Sequence, residues 1–374
     1  MKEKVFVCVV GIFIVVLFFI PTGFENPALT KSILYEKGMI LETDNDDLRS
    51  FSVVTTGTQN VRLRIESGKF KGDTVVAKNT LLGQKKIDKI FRAGDRVLTI
   101  IQLADDKETY TGVRAADYYR QDFEIFLFIC FALFLIFFFK FNGLKAIISF
   151  VFTAMALWKI LIPFYLKGFS PLLTAMAIVF LCTVVIILLV GGLNRKGCVA
   201  LLGAVSGISV TALLAVIFGY YFKIPATVQE FSETLLYTGF MSLDFSDIFI
   251  ASIFISSAGA VMDVAMDIST ALHEVFLHKP AISRKELIQS GFNIASPVVG
   301  SMTTTLLFAY SGSFMFVFMA FMAKGTPVES ILNTGYIAAE ILHTLVGSFG
   351  LVLVAPLTAI IGGYVYSSAR KSHG

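Results

Sequence analysis

Charge is scarce in this 374-residue chain. Asp, Glu, Lys and Arg make up 16% of it, against about 25% in an ordinary soluble domain. Histidine and cysteine are rarer still, four of each, and there is one tryptophan. Cys8, Cys130, Cys182 and Cys198 all fall in or beside hydrophobic stretches, and none has a second Cys or a His at ligand spacing. Neither a disulfide framework nor a metal cluster is expected from them. His273-Glu274 followed by His278 is one residue too long for the His-Glu-x-x-His zinc helix, so the two imidazoles do not share a face. No phosphate loop or paired nucleophile and base stands out, and an enzyme is not expected. A net charge of +4 does not make a nucleic-acid-binding domain. What is abundant is apolar: 56% of residues, 37 phenylalanines, and a mean hydropathy of +0.77. These residues come in long runs, the mark of a multi-pass membrane protein.

The charge that exists is concentrated. Residues 24–121 hold 16 of the 31 Lys/Arg and 14 of the 27 Asp/Glu. This block reads as one soluble domain between an N-terminal anchor, 1–23, and a seven-helix membrane domain, 122–367, with a tail at 368–374. About 20 apolar residues cross a bilayer core as a helix. The runs that qualify are Val5–Thr22, Asp122–Phe139, Lys145–Leu166, Ser170–Gly192, Cys198–Phe222, Ser246–Ile268, Ser296–Met322 and Ala338–Ser367, eight in all. The expected fold class is therefore an α-helical polytopic membrane protein with a small β-rich domain between helices 1 and 2. With the N-terminus inside, eleven Lys/Arg of the termini and short loops lie in the cytoplasm, and only Lys167, Lys223 and Lys324 lie outside. That places both termini in the cytoplasm and the polar block outside. Met1-Lys-Glu-Lys followed by sixteen apolar residues also suits an export signal, but the run ends Pro21-Thr22-Gly23-Phe24 without a small-x-small cleavage site. An uncleaved anchor is expected.

Within the polar block, Val61-Arg-Leu-Arg-Ile65 alternates at period two, as a half-buried strand does. Residues 73–77 and 96–102 are strand-like too, and Gly-Asp turns introduce them. A small barrel or sandwich of OB or SH3-like size follows. Its basic residues, among them Arg62, Arg64, Lys69 and Lys89, are nearly balanced by acids, so a solvated surface is the expectation.

Polar residues inside the membrane carry the functional information, because they are costly there. In the sixth run, Asp263 and Asp267 are four apart and share a helix face, which continues backwards through Ala260, Gly259, Ser256 and Ser252. The seventh run holds three successive hydroxyls, Thr303, Thr304 and Thr305, among the breakers Pro297, Gly300, Ser311 and Gly312. Each hydroxyl either reaches a neighbouring helix or bonds back to its own. In the eighth, Glu340 and His343 are three apart. Lys159 is a further intramembrane charge, either an aspartate's partner or a side chain reaching the surface. Gly203 and Gly207 form a GxxxG match read as a packing surface. Residues 271–290 are expected to be an amphipathic connector along the membrane.

Gly259-Ala-Val-Met-Asp-Val-Ala-Met-Asp-Ile-Ser269 and Gly300-Ser-Met-Thr-Thr-Thr-Leu-Leu-Phe-Ala-Tyr-Ser-Gly312 resemble the YibE/F family of bacterial multi-pass membrane proteins. The resemblance covers about residues 122–367, and the N-terminal span with its polar domain is similar to the longer, YibE-type members. It implies a complex with a shorter YibF-type paralogue, or a homo-oligomer, as the form in the lipid bilayer. The family pattern has Asp where this chain has Pro297 and Asn where it has Thr304. Those departures put an aspartate site on the seventh run in doubt and leave Asp263 intact. The resemblance implies no particular reaction.

Two readings remain. One is a transporter or channel-like protein with a polar path around Asp263, lined by Asp267, Ser256, Thr303, Thr304, Thr305, Glu340 and His343, without metal or cofactor. The other is a non-transporting assembly protein that works through the β domain.

Overall fold

The computed structural model describes residues 2–25 and 32–371. Residues 26–31 of the expected exterior domain and 372–374 of the expected tail lie outside the described residues. The chain divides into two compact units, Gly23–Phe134 and Met1–Thr22 with Leu135–Gly374.

The first unit is a β-barrel. Its strands are β1 (Ile33–Asp44), β2 (Arg49–Phe51), β3 (Val54–Ile65), β4 (Thr74–Leu82), β5 (Arg96–Leu103) and β6 (Tyr110–Tyr118). The order is β1-β5-β6-β4-β3-β2, and a further pairing of β1 with β3 closes the ring. All pairings are antiparallel except β4 with β6. A closed five-strand ring with one parallel pair is the arrangement of an OB-type barrel. Period-two alternation sets the core: Val61, Leu63 and Ile65 point inward while Arg62 and Arg64 point out. Ile40, Ala77, Val97, Ile101 and Phe91 complete it.

Polar side chains are sealed in the barrel too, Gln59 and Thr99 among them. Gln59 is fully buried, donates to the Phe91 carbonyl at 2.9 Å and accepts from the Phe91 N–H at 3.0 Å. Asn79 donates to the same side chain at 3.0 Å and to the Lys89 carbonyl at 2.7 Å. Together they fasten the β4–β5 loop to the barrel. The surface charges pair off, Arg62 with Glu42 at 3.1 Å, Lys69 with Glu108 at 2.8 Å and Lys89 with Asp117 at 2.9 Å, in line with a solvated surface.

The helices are α1 (Lys2–Phe19), α2 (Gln121–Ala156), α3 (Pro171–Val190), α4 (Arg195–Phe222), α5 (Ser232–Tyr237), α6 (Phe245–His278), α7 (Arg284–Ser313), α8 (Met315–Ala323), α9 (Val328–Asn333) and α10 (Gly335–Lys371). Helix α2 runs on through a π-turn, Leu157–Leu161, to Leu166. Among the described residues, six stretches are long and apolar enough to cross a membrane: Gln121–Leu166, Pro171–Val190, Arg195–Phe222, Phe245–His278, Arg284–Gly312 and Gly335–Ser367.

The first of these is 46 residues long, about 70 Å as a straight helix, more than twice a bilayer core. It breaks at Lys140, where φ is 52° and ψ −122°. A Cβ at Gly143 would stand 2.0 Å from the Leu135 carbonyl oxygen, so only glycine fits the fold-back. Near this break Lys145, buried, pairs with Glu3 of α1 at 2.9 Å.

Helices α4, α6, α7 and α10 form the core of the bundle. The Gly203–Gly207 surface of α4 packs on α10: an added Cβ would meet Thr358 Oγ1 at 2.2 Å and Val354 Cβ at 2.7 Å.

Two sequence expectations are corrected and one open alternative is narrowed. No separate connector helix lies at 271–290: α6 continues to His278, and only residues 279–283 separate it from α7. The seventh apolar helix starts at Arg284 rather than Ser296, because Ser283 and Glu286 form a capping box that hydropathy does not register. It passes through Pro297 and ends at Ser313, directly after the Ser311-Gly312 pair. Of the two alternatives for Lys159, an aspartate partner is not found among the described residues; its Nζ donates to the Ile20 carbonyl at 3.0 Å.

Candidate functional site

Three helices bring polar side chains together at one end of the bundle. On α6, Ser252, Ser256, Gly259, Asp263 and Asp267 recur at intervals of three and four residues and so follow one face. Tyr310, on the last turn of α7, donates to the Ser256 hydroxyl at 3.0 Å. The same hydroxyl is hydrogen-bonded to Nε2 of His343 on α10. The Tyr310 and His343 rings lie 4.7 Å apart. Gly347, one turn beyond His343, allows the approach: a Cβ there would stand 3.2 Å from Ser257 and 3.9 Å from the Tyr310 hydroxyl.

Beside this cluster is a cavity of about 490 Å³ lined by Gln229, Glu230, Ser252, Tyr310, Phe314, Tyr336, Ala339, Glu340 and His343. A smaller, apolar cavity of about 190 Å³ lies on the other side of Glu340, against Leu307, Phe318 and Leu345. One carboxylate oxygen of Glu340, Oε1, is buried and has no hydrogen-bond partner among the described residues. The cavity is thus built from α6, the end of α7, the start of α10 and the turn at 229–230.

The candidate residues divide into three groups. Ser256, His343 and Glu340 are brought together. Asp263 and Asp267 lie about two and three turns further along α6, on its exposed face. Thr303, Thr304 and Thr305 join neither: each bonds back to its own helix, to the carbonyls of Val299, Gly300 and Ser301 at 2.8, 3.3 and 3.0 Å. Tyr310 and Tyr336 are the members that spacing did not single out. Tyr310 lay inside a quoted motif, but an aromatic on an apolar helix carries no signal of its own. Tyr336 sits in the first turn of α10, ahead of the apolar run expected from Ala338, and Glu230 in a turn before α5 whose course the sequence does not show. Among the described residues, no group of three or more His, Cys, Asp or Glu converges as metal ligands would.

A β-barrel domain in a chain whose other unit is a bundle of helices long and apolar enough to cross a membrane points to a membrane protein that carries a β domain. Residues 127–368 match the model of the YibE/F-like protein family, and residues 40–117 match the YibE/F family N-terminal domain. The chain belongs to the YibE/F family. Neither a curated protein nor a solved structure matches it significantly.

Proposed function

We propose that this chain is a membrane transporter or channel-like protein whose path follows the polar face of α6, with Asp263 as the protonatable or cation-binding group. The observation that carries this reading is continuity. The Ser256–His343–Tyr310 cluster opens onto a cavity of about 490 Å³. From Ser256 the same helix face leads in two turns, about 10 Å, to Asp263 and on to Asp267. A charged carboxylate facing lipid costs about 2.5–3.5 kcal/mol on insertion scales. Exposure of Asp263 and Asp267 on the single chain therefore calls for water or a partner against that face. In this reading the partner is a second copy or a shorter family member. The membrane is the bacterial cytoplasmic membrane, crossed eight times: α1, the two halves of α2, and α3, α4, α6, α7 and α10. Both termini are inside and the barrel is outside. No step of the function requires catalysis by this chain.

The test is ion flux in proteoliposomes of purified protein. Dissipation of a pH or cation gradient by the native chain, lost in Asp263→Asn at equal protein level, supports the path. Unchanged flux in the variant removes Asp263 from it.

A second reading has its own observation. On the barrel, Phe51, Val53, Leu82 and Ile87 are more than half exposed, around a groove lined by Val53, Leu81 and Ile90. Such a patch suits an assembly role. Deletion of residues 30–118 would then abolish function while Asp263→Asn leaves it intact.

A further inference from the structure

The cavity at the Ser256–His343 cluster has a chemistry of its own. Three aromatic rings line it, those of Tyr310, Phe314 and Tyr336. Phe314 and Tyr336 stand 5.1 Å apart at 55°, two walls of a corner rather than a stack. Its acidic residues are Glu230 and Glu340, and among the described residues no Lys or Arg lines it. Among the described residues no donor reaches Glu340 Oε1, although a buried acceptor ordinarily has one. His343 cannot supply that donor through Nε2, which is engaged by Ser256.

We propose that this cavity binds a small organic cation, an alkylammonium or quaternary ammonium compound. Resting on the transport reading, this makes such a cation the transported or path-controlling species. Aromatic faces attract ammonium groups through their quadrupole, most strongly where water is excluded. Glu340, on the cavity wall, supplies the opposite charge. A volume of about 490 Å³ falls in the range of small-ligand sites. An anion would meet two carboxylates and no cationic partner. A bare metal ion would meet three aromatic walls and no converging set of three ligands among the described residues.

Calorimetric titration of the full-length protein in nanodiscs tests this, with choline, tetramethylammonium and n-butylammonium as probes. The neutral isostere of choline, 3,3-dimethyl-1-butanol, and butyrate serve as controls. At least one cation binds in the micromolar to low-millimolar range, and the neutral isostere binds at least tenfold more weakly. Glu340→Gln lowers cation affinity at least tenfold, and Tyr336→Leu lowers it severalfold. Tyr336→Phe, which keeps the ring, changes it little. Circular dichroism and a melting curve show that each variant is folded. Choline and its neutral isostere binding alike, or no cation binding to folded native protein, overturns the proposal. The transport reading fails separately: cation binding without any Asp263-dependent flux leaves the site standing and removes the path, whereas Asp263-dependent proton flux without cation binding does the reverse.

Discussion

The Tyr310 hydroxyl donates to Ser256 across 3.0 Å, and that one contact ties the end of α7 to the middle of α6. Because Ser256 is also bonded to His343, one hydroxyl joins three helices. Interhelical hydrogen bonds within membranes are worth about 0.6 to 2 kcal/mol each. Ser256→Ala removes both and is expected to destabilise the bundle by about 1–3 kcal/mol, read as a lowered melting temperature in detergent. Tyr310→Phe removes one and should cost about half as much.

Glycines separate packing from exposure. A Cβ at Gly203 would stand 2.2 Å from Thr358 Oγ1, whereas nothing lies within 4 Å of one at Gly259. Gly203→Ala overpacks the α4–α10 contact and is expected to cost about 1–3 kcal/mol. Gly259→Ala, in a helix interior, is expected to be neutral or to stabilise by up to about 1 kcal/mol. Thermal unfolding of the two purified variants beside the native chain checks the contrast.

Gln59 is the polar keystone of the barrel. Replacing it with Ala leaves both backbone groups of Phe91 without partners inside the core. A buried group left unpaired costs about 1–3 kcal/mol. Hydrogen exchange is expected to rise at Phe91 and along the β4–β5 loop in Gln59→Ala, with the membrane helices unaffected.

Acid should loosen the barrel in a defined window. Burial works to raise Asp117, but its ion pair with Lys89, the Tyr118 N–H and the charge of Arg120 outweigh it, so the carboxyl is held below the usual 3.8. At exposed Asp106 the N–H groups of Thr109 and Glu108 do the same. A carboxyl lowered on folding adds stability that is complete above its unfolded value and is lost as pH falls through its folded one. The barrel is thus expected to lose stability as pH drops below about 4. Asp117→Asn should flatten that decline, measured by exchange or proteolysis of the barrel at stepped pH.

Much of the architecture was legible from pattern. The alternation at Val61–Ile65 marks the inward face of β3, and charge density separates the barrel from the helices. Hydropathy finds the long helices but misplaces the start of α7, since Arg284–Asn293 is polar and only the Ser283–Glu286 box marks its beginning. Gln59 gives no sign of burial, because which strand residues face a closing loop depends on how the ring closes. The site was half visible. Spacing places Ser256 with Asp263, and Glu340 with His343, on their own helices. That α6 and α10 meet at Ser256 and His343, and that Tyr310 joins them, depends on packing between helices that no local period encodes. The same limit explains the threonines: three in a row must point in different directions, and bonding back along the helix satisfies all of them.

The central claim is that water reaches Asp263 along the polar face of α6. Thiol labelling reads it directly, with a charged, membrane-impermeant maleimide on a chain whose four native cysteines are replaced by alanine. Ser252→Cys, Ser256→Cys, Gly259→Cys and Asp263→Cys should label, with rates falling smoothly along the helix, while Ile253→Cys and Val261→Cys, on the fully buried face, should not. Labelling that stops at Ser252, with Gly259→Cys and Asp263→Cys unreactive from both sides of the membrane, would contradict the account.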